Sequence, residues 1–147
     1  MFKLLEEKLL YEKTSKFSFG VQEVEYLGHI VSHEGVKVEP NKNKSMKEWK
    51  VPITIRQLRR FLGLTGYYRK FVKNYGRIVA PLTKILKKDA FLWTPEVTKY
   101  FENIIEAMCL TPVLATPDFT KTFIVQCDAS GNGIGVVLMQ EGRPIAF

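Results

Sequence analysis

Asp128 closes the apolar run Thr122-Phe123-Ile124-Val125-Gln126-Cys127 and precedes the stretch Gly131-Asn132-Gly133. A carboxylate at the end of a central-looking strand can hold a divalent metal ion. Two-metal phosphodiester hydrolysis needs several carboxylates in one place. Asp128 alone does not supply them, and an ordinary turn aspartate accounts for the residue as it stands. His29 has no companion ligands and reads as a strand-end polar contact. Cys109 and Cys127 have no metal-ligand spacing and read as free, buried thiols of a reducing compartment.

A second chemistry is non-covalent. In the stretch 54–72, Leu58, Phe61, Leu62, Thr65 and Val72 fall on one helical face at about 100° per residue. Arg56, Arg59, Arg60, Gly63, Tyr67 and Lys70 fall on the other. A plain surface helix mixes acids with bases there; this face has none. Glycine inside a helix costs about 1 kcal/mol relative to alanine, so Gly63 invites a reason. One reason is close approach of a nucleic-acid groove to bare backbone, with Tyr67 and the arginines framing it. The other is a tight helix–helix contact at Gly63 beneath a merely solvated basic face. The local pattern leaves both open.

Charge distribution favours nucleic acid as partner. Residues 41–88 hold 14 Lys and Arg against the single acid Glu48, whereas residues 91–147 hold three bases against six acids. A basic block with apolar periodicity is a folded basic surface rather than a tail. An anionic membrane is the weaker candidate, because aromatics lie on both faces. No apolar run approaches the roughly 18 residues of a membrane span. The N-terminus alternates charge with apolar residues and is not a signal peptide. These features point to an intracellular chain with the compartment open. Hydrophobic content of 46% supports a packed core.

The elements that must position these groups follow in order. Residues 2–11 read as a short amphipathic helix, the end of a longer one. Phe17–Ser32 reads as a β-hairpin with a turn at 20–23 and a second strand through Val24, Tyr26, Leu27, Ile30 and Val31. His33-Glu34-Gly35 turns the chain, Val36 and Val38 begin a third strand, and Pro40 ends it. Asn41 caps a short helix to Trp49. Thr54 caps the central helix, which bends or breaks near Gly66, since Arg69 would otherwise face the core. Tyr75-Gly76 ends that segment, and Pro81 opens another short helix to Lys88. Thr94-Pro95 caps and opens a helix whose Val97, Tyr100, Phe101, Ile104, Ile105 and Met108 form a core stripe, stopped by Pro112. Thr122–Cys127 is a strand, 128–133 a turn, and Ile134–Gln140 the return strand. After the turn at 141–144, Ile145-Ala146-Phe147 begins a third.

Several stretches together resemble one family. They are Glu25-Tyr26-Leu27-Gly28-His29-Ile30-Val31-Ser32, the run Phe61 to Phe71, Pro81-Leu82-Thr83, Phe91-Leu92-Trp93-Thr94, Pro112-Val113-Leu114, Thr116-Pro117-Asp118-Phe119, and Asp128-Ala129-Ser130 with Gly133-Ile134-Gly135. In this order they resemble the polymerase–RNase H junction of a Ty3/gypsy-class retrotransposon polyprotein. The resemblance covers almost the whole chain. Phe17, where relatives often carry cysteine, and Lys50-Val51-Pro52, in place of Trp-Pro-x-Pro, depart from it.

The resemblance implies an α+β fold. Residues 1–40 would be the C-terminal end of a reverse-transcriptase palm with a primer-grip-like hairpin. Residues 41–90 would be a helical thumb. Residues 91–147 would be a helix and the first strands of a truncated RNase H-like α/β sheet. It implies nucleic-acid contacts at Leu27, Gly28 and His29 of the hairpin, and along Arg56, Arg59, Arg60, Gly63, Tyr67 and Lys70. Gly63 and Tyr67 would stand closest to the minor groove of an RNA–DNA hybrid or duplex. Asp128 matches the first of four metal-binding carboxylates, so the parent enzyme would use Mg²⁺, with none bound tightly here. The parent activities would be RNA-directed DNA synthesis and cleavage of the RNA strand of hybrids. The resemblance places the polymerase's Asp-Asp turn before residue 1, and no Asp-Asp pair occurs in the sequence; it places the other three RNase H carboxylates after residue 147, so neither active site is expected to be complete. The alternatives are a non-catalytic nucleic-acid-binding remnant and an unproductive open reading frame.

Overall fold

Two threonines start the two longest helices, and both caps form as read. Thr54 accepts a hydrogen bond from the Gln57 amide at 3.2 Å, and Thr94 accepts from the Val97 amide at 3.3 Å. Each satisfies a donor that the first helical turn leaves free. The computed structural model describes residues 2–9, 13, 18–87, 90–130 and 133–147. In chain order it contains α1 (Phe2–Glu7), β1 (Glu23–Tyr26), β2 (His29–Ser32), β3 (Gly35–Val38), α2 (Pro40–Lys47), α3 (Ile55–Tyr67), α4 (Tyr75–Lys84), α5 (Pro95–Cys109), β4 (Ile124–Ser130), β5 (Gly133–Gln140) and β6 (Arg143–Ala146). A single 3-10 turn at Arg69–Phe71 breaks the central helix, which ends one residue after Gly66.

The strands form two antiparallel sheets, β1-β2-β3 and β4-β5-β6. The expected hairpin needs correction. Its turn is Leu27-Gly28, not residues 20–23, and the single second strand is in fact β1 and β2, with Tyr26 opposite His29. Leu27 and Gly28 have φ of 51° and 77°. Two successive positive φ values match the twist of a tight hairpin, and glycine supplies the second without strain. Residues 18–22 are not a strand, and Phe17 lies outside the described residues.

Three element boundaries also differ from expectation. Pro40 opens α2 at its first position instead of only ending β3, so Glu39, not Asn41, precedes the helix. Tyr75-Gly76 begins α4 rather than ending a segment, after Asn74 turns the chain at φ 58°. Pro81 therefore sits inside α4, where it removes one intrahelical hydrogen bond. The Thr83 hydroxyl donates to the Ala80 carbonyl at 2.8 Å in the same turn. Finally, β4 runs on to Ser130, so Asp128 is a strand residue opposite Gly135, not a turn residue.

One core holds the helical body together. Leu58, Phe61 and Thr65 of α3 are fully buried. They join Met46 of α2, Val79 and Leu82 of α4, and Val97, Phe101, Ile104 and Met108 of α5, with Val38 and Leu114 at the margin. The Phe61 and Phe101 rings lie 4.6 Å apart. The periodic stripe of α5 is thus spent on α4 and α2.

The segment after α5 joins the two sheets. Val36 and Leu114 exchange backbone hydrogen bonds, both 2.8 Å, and the Ala115 amide donates to the Pro144 carbonyl at 2.8 Å. The Arg143 guanidinium donates to the Glu34 carbonyl. Gly35 permits the crossing: at φ 136°, an added Cβ would stand 2.0 Å from the Leu114 carbonyl oxygen.

Candidate nucleic-acid interface

α3 has one dry face and one wet face. Arg56, Arg59, Arg60 and Gly63 are exposed, as is Lys70 just beyond the helix end. Among the described residues, none of the three arginines makes an ion pair. Arg60 lies 6.0 Å from the Trp49 ring centre, and Lys70 lies 5.1 Å from that of Phe71. Both cations lie over aromatic rings and keep their charge at the surface. Gly63 decides between the two readings of the helix. A Cβ built there meets nothing within 4 Å. Among the described residues no helix packs against it, so the tight-contact explanation fails and the glycine faces open space.

The hairpin turn adjoins this face. The Tyr67 hydroxyl donates to the Leu27 carbonyl at 3.1 Å. Tyr67 is 52% exposed and Leu27 68% exposed. A bulky residue in the left-handed region costs about 1–2 kcal/mol, so Leu27 is a strained, outward-pointing apolar tip. Strain of this kind is tolerated where the surroundings over-determine it. Gly28 lies on Tyr68, whose hydroxyl would be 2.7 Å from an added Cβ. Burial, then the neighbouring Tyr67 and Glu39, raise the Tyr68 phenol above its ordinary range, which keeps it neutral.

His29 is placed differently from Leu27 and Gly28. It is only 7% exposed and lies behind the surface rather than on it. Its ring centre is 5.3–5.5 Å from those of Tyr67, Tyr68 and Phe71. Its Nδ1 is 3.0 Å from the Leu27 carbonyl, the strand-end polar contact the sequence suggests. Periodicity alone pointed to neither Tyr68 nor Trp49 as supports of this surface. Both are aromatics next to basic or glycine positions, the one signal that marks them.

Asp128 stands elsewhere. It lines a cleft with Lys73, Asn74, Gln126, Cys127, Gly135 and Phe147, and a second with Gly76 and Arg77. The Phe147 amide donates to the Lys70 carbonyl at 2.9 Å, fixing the end of the chain beside this cleft. Asn74, Lys73 and Arg77 come from the turn before α4 and its first residues, and nothing in the sequence pattern ties them to Asp128. Among the described residues, no three His, Cys, Asp or Glu side chains gather where they could hold a metal ion. Among the described residues, the donor set around Asp128 therefore does not by itself make up a two-ion hydrolytic centre.

Residues 93–147 match the RNase H-like domain found in reverse transcriptase. The chain is 40% identical over 149 residues to the retrovirus-related Pol polyprotein from transposon 297 of Drosophila melanogaster, a match covering 100% of this chain and 14% of that one. It is 43% identical over 128 residues to an uncharacterised mitochondrial protein of Arabidopsis thaliana, covering 86% of this chain and 81% of that protein. Its fold matches the foamy viral protease-reverse transcriptase solved in complex with RNA/DNA hybrid, with a TM-score of 0.81 and 26% identity over 90% of this chain and 19% of that one.

The chain belongs to the reverse transcriptase–RNase H family of retrotransposon Pol polyproteins, of the Ty3/gypsy class. It spans about a seventh of the length of the transposon 297 polyprotein, 14%. No helix among the described residues is long and apolar enough to cross a membrane.

Proposed function

We propose that this chain is a nucleic-acid-tracking segment of a retrotransposon reverse transcriptase, with no catalysis of its own. Residues 1–40 are the end of a palm, residues 41–90 a thumb, and residues 91–147 the start of an RNase H-like domain. Arg56, Arg59, Arg60 and Lys70 neutralise phosphates of an RNA–DNA hybrid or duplex. Gly63 lets the groove approach the α3 backbone, while Tyr67 and the Leu27-Gly28 turn bear on the strand alongside.

The observation that carries this reading is the empty space over Gly63 on a helix face with bases and no acid. A helix interior that accepts the cost of glycine without gaining an internal contact is shaped for an external one. The parent activities, RNA-directed DNA synthesis and Mg²⁺-dependent RNA cleavage, belong to a longer assembly in this reading. Asp128 contributes a single carboxylate to it, and the chain itself binds Mg²⁺ weakly.

Fluorescence anisotropy of a labelled RNA–DNA hybrid tests the reading. Phosphate-dominated binding weakens steeply with salt, so affinity is expected to fall by at least tenfold between about 50 and 200 mM salt. Arg59→Glu with Arg60→Glu is expected to abolish binding at the lower salt, and Asp128→Asn to leave it unchanged. Binding indifferent to the arginine pair would remove α3 as the contact surface.

A further inference from the structure

The Leu27 carbonyl receives two side chains at once, the Tyr67 hydroxyl at 3.1 Å and His29 Nδ1 at 3.0 Å. A carbonyl oxygen only accepts, so Nδ1 carries the ring proton. Nε2 is buried and has no hydrogen-bond partner among the described residues. Three aromatic rings, Tyr67, Tyr68 and Phe71, pack around the imidazole and hold its orientation. His29 comes from β2, whereas Tyr67 is the last residue of α3. One peptide oxygen thus ties the hairpin turn to the end of the basic helix.

We infer that His29 and Tyr67 form a clamp on the Leu27 carbonyl that makes the hairpin turn and the α3 face a single rigid nucleic-acid-contacting unit, with His29 as a positioning residue. The inference rests on the nucleic-acid reading above. The clamp explains three facts together. Leu27, a bulky residue, stays at φ 51° because its carbonyl is fixed from two sides. Gly28 is held down on Tyr68, which has no room for a Cβ. A histidine only 7% exposed places its ring N–H on a turn carbonyl. With the carbonyl turned inward, the Leu27 side chain points out beside the exposed Tyr67 ring.

The clamp gives no protein atom a second role in chemistry; its effect is preorganisation. A turn already fixed in its binding geometry loses less freedom when it meets a ligand. Loosening the clamp therefore costs affinity rather than fold.

The test uses the full chain, the labelled hybrid, and the amide resonance of Gly28. That nitrogen shares its peptide unit with the Leu27 carbonyl, so it reports the hydrogen bonds to it. Tyr67→Phe keeps the ring and removes one donor. It is expected to shift the Gly28 resonance in the free chain and to weaken hybrid binding by roughly three- to tenfold, the worth of one hydrogen bond. His29→Leu should move the same resonance and cost a similar factor. His29→Asn, whose amide nitrogen takes the place of Nδ1, should recover most of the affinity at a melting temperature close to that of His29→Leu. The double variant Tyr67→Phe/His29→Leu should lose less than the two single losses combined, because both act on one oxygen.

Hybrid affinity unchanged in Tyr67→Phe and His29→Leu, with wild-type binding intact, would overturn the clamp and spare the nucleic-acid reading. An equal loss in His29→Leu and His29→Asn would also overturn it, by making His29 a packing residue only. Wild-type protein that fails to bind the hybrid at low salt would overturn the nucleic-acid reading, and the role of the clamp with it.

Discussion

The helical body and the β4–β6 sheet differ in how far they are closed. Around α3, the largest side chains are sealed: Phe61, Phe71, Leu58, Leu82 and Ile104 have no measurable exposure. In the sheet, Ile124, Val125, Ile134 and Val136 are all exposed, while Gln140, at the end of the central strand, is buried. The Gln140 side chain donates to the Asp118 carbonyl at 2.7 Å and accepts from the Asp118 amide at 2.9 Å. The basic face of α3 stands on a closed core, while Asp128 stands on a sheet whose apolar residues are largely exposed. Binding by phosphate contacts needs a rigid face and charge. Two-metal chemistry needs several carboxylates held together, and among the described residues no three His, Cys, Asp or Glu side chains gather around a metal-sized site.

Mutations in the two regions should separate them clearly. Phe61→Ala should destabilise the fold by about 3–5 kcal/mol, the usual cost of emptying a core aromatic site. Val125→Ala, at a position 59% exposed, should stay within about 0.5 kcal/mol. Chemical denaturation of both variants would show it, and equal losses would break the contrast.

Gly35→Ala attacks the junction between the regions. Its methyl group would collide with the Leu114 backbone oxygen, and backbone cannot swing aside as a side chain can. A loss of about 2–3 kcal/mol is expected, together with faster amide exchange at Val36 and Leu114. Protected amides in a stable variant would mean the stitch does not couple the two sheets.

Gly63→Ala sharpens the comparison by moving two readouts in opposite directions. Alanine is the better helix former and finds open space there, so stability should rise by about 0.5–1 kcal/mol. Hybrid affinity should fall, because the methyl group occupies the approach to the backbone. A stabler protein that binds as well as wild type would remove Gly63 from the interface.

The smallest effect is on the alkaline side. Burial raises the Tyr75 phenol, only partly opposed by its 2.8 Å hydrogen bond with Thr65 and by Arg69. A group that holds its proton more tightly when folded stabilises the protein below its unfolded value, near pH 10. That stability is lost as pH rises through the folded value. Tyr75→Phe should therefore flatten the decline of stability above about pH 10, as followed by melting temperature against pH.

The particular residues show what could be read from the chain alone. Thr54 and Thr94 caps, the α3 and α5 stripes, the basic face and the break after Gly66 are set by neighbours within a few residues, where periodicity and capping chemistry act directly. The turn at Leu27-Gly28 was hidden because leucine is a poor left-handed residue; it adopts φ 51° only with Tyr67 and His29 on its carbonyl. Tyr75-Gly76 and Pro81 differ from their local signals for a related reason. α4 starts before its proline because the buried Val79 and Leu82 hold the helix through it. The sequence by itself determined the family, the basic helix and its apolar back. Only the tertiary structure decided that Gly63 faces nothing, that His29 sits behind the surface, and that Leu114 joins two sheets. Each of these depends on which atoms far apart in the chain come within a few ångströms, and local pattern carries no record of that.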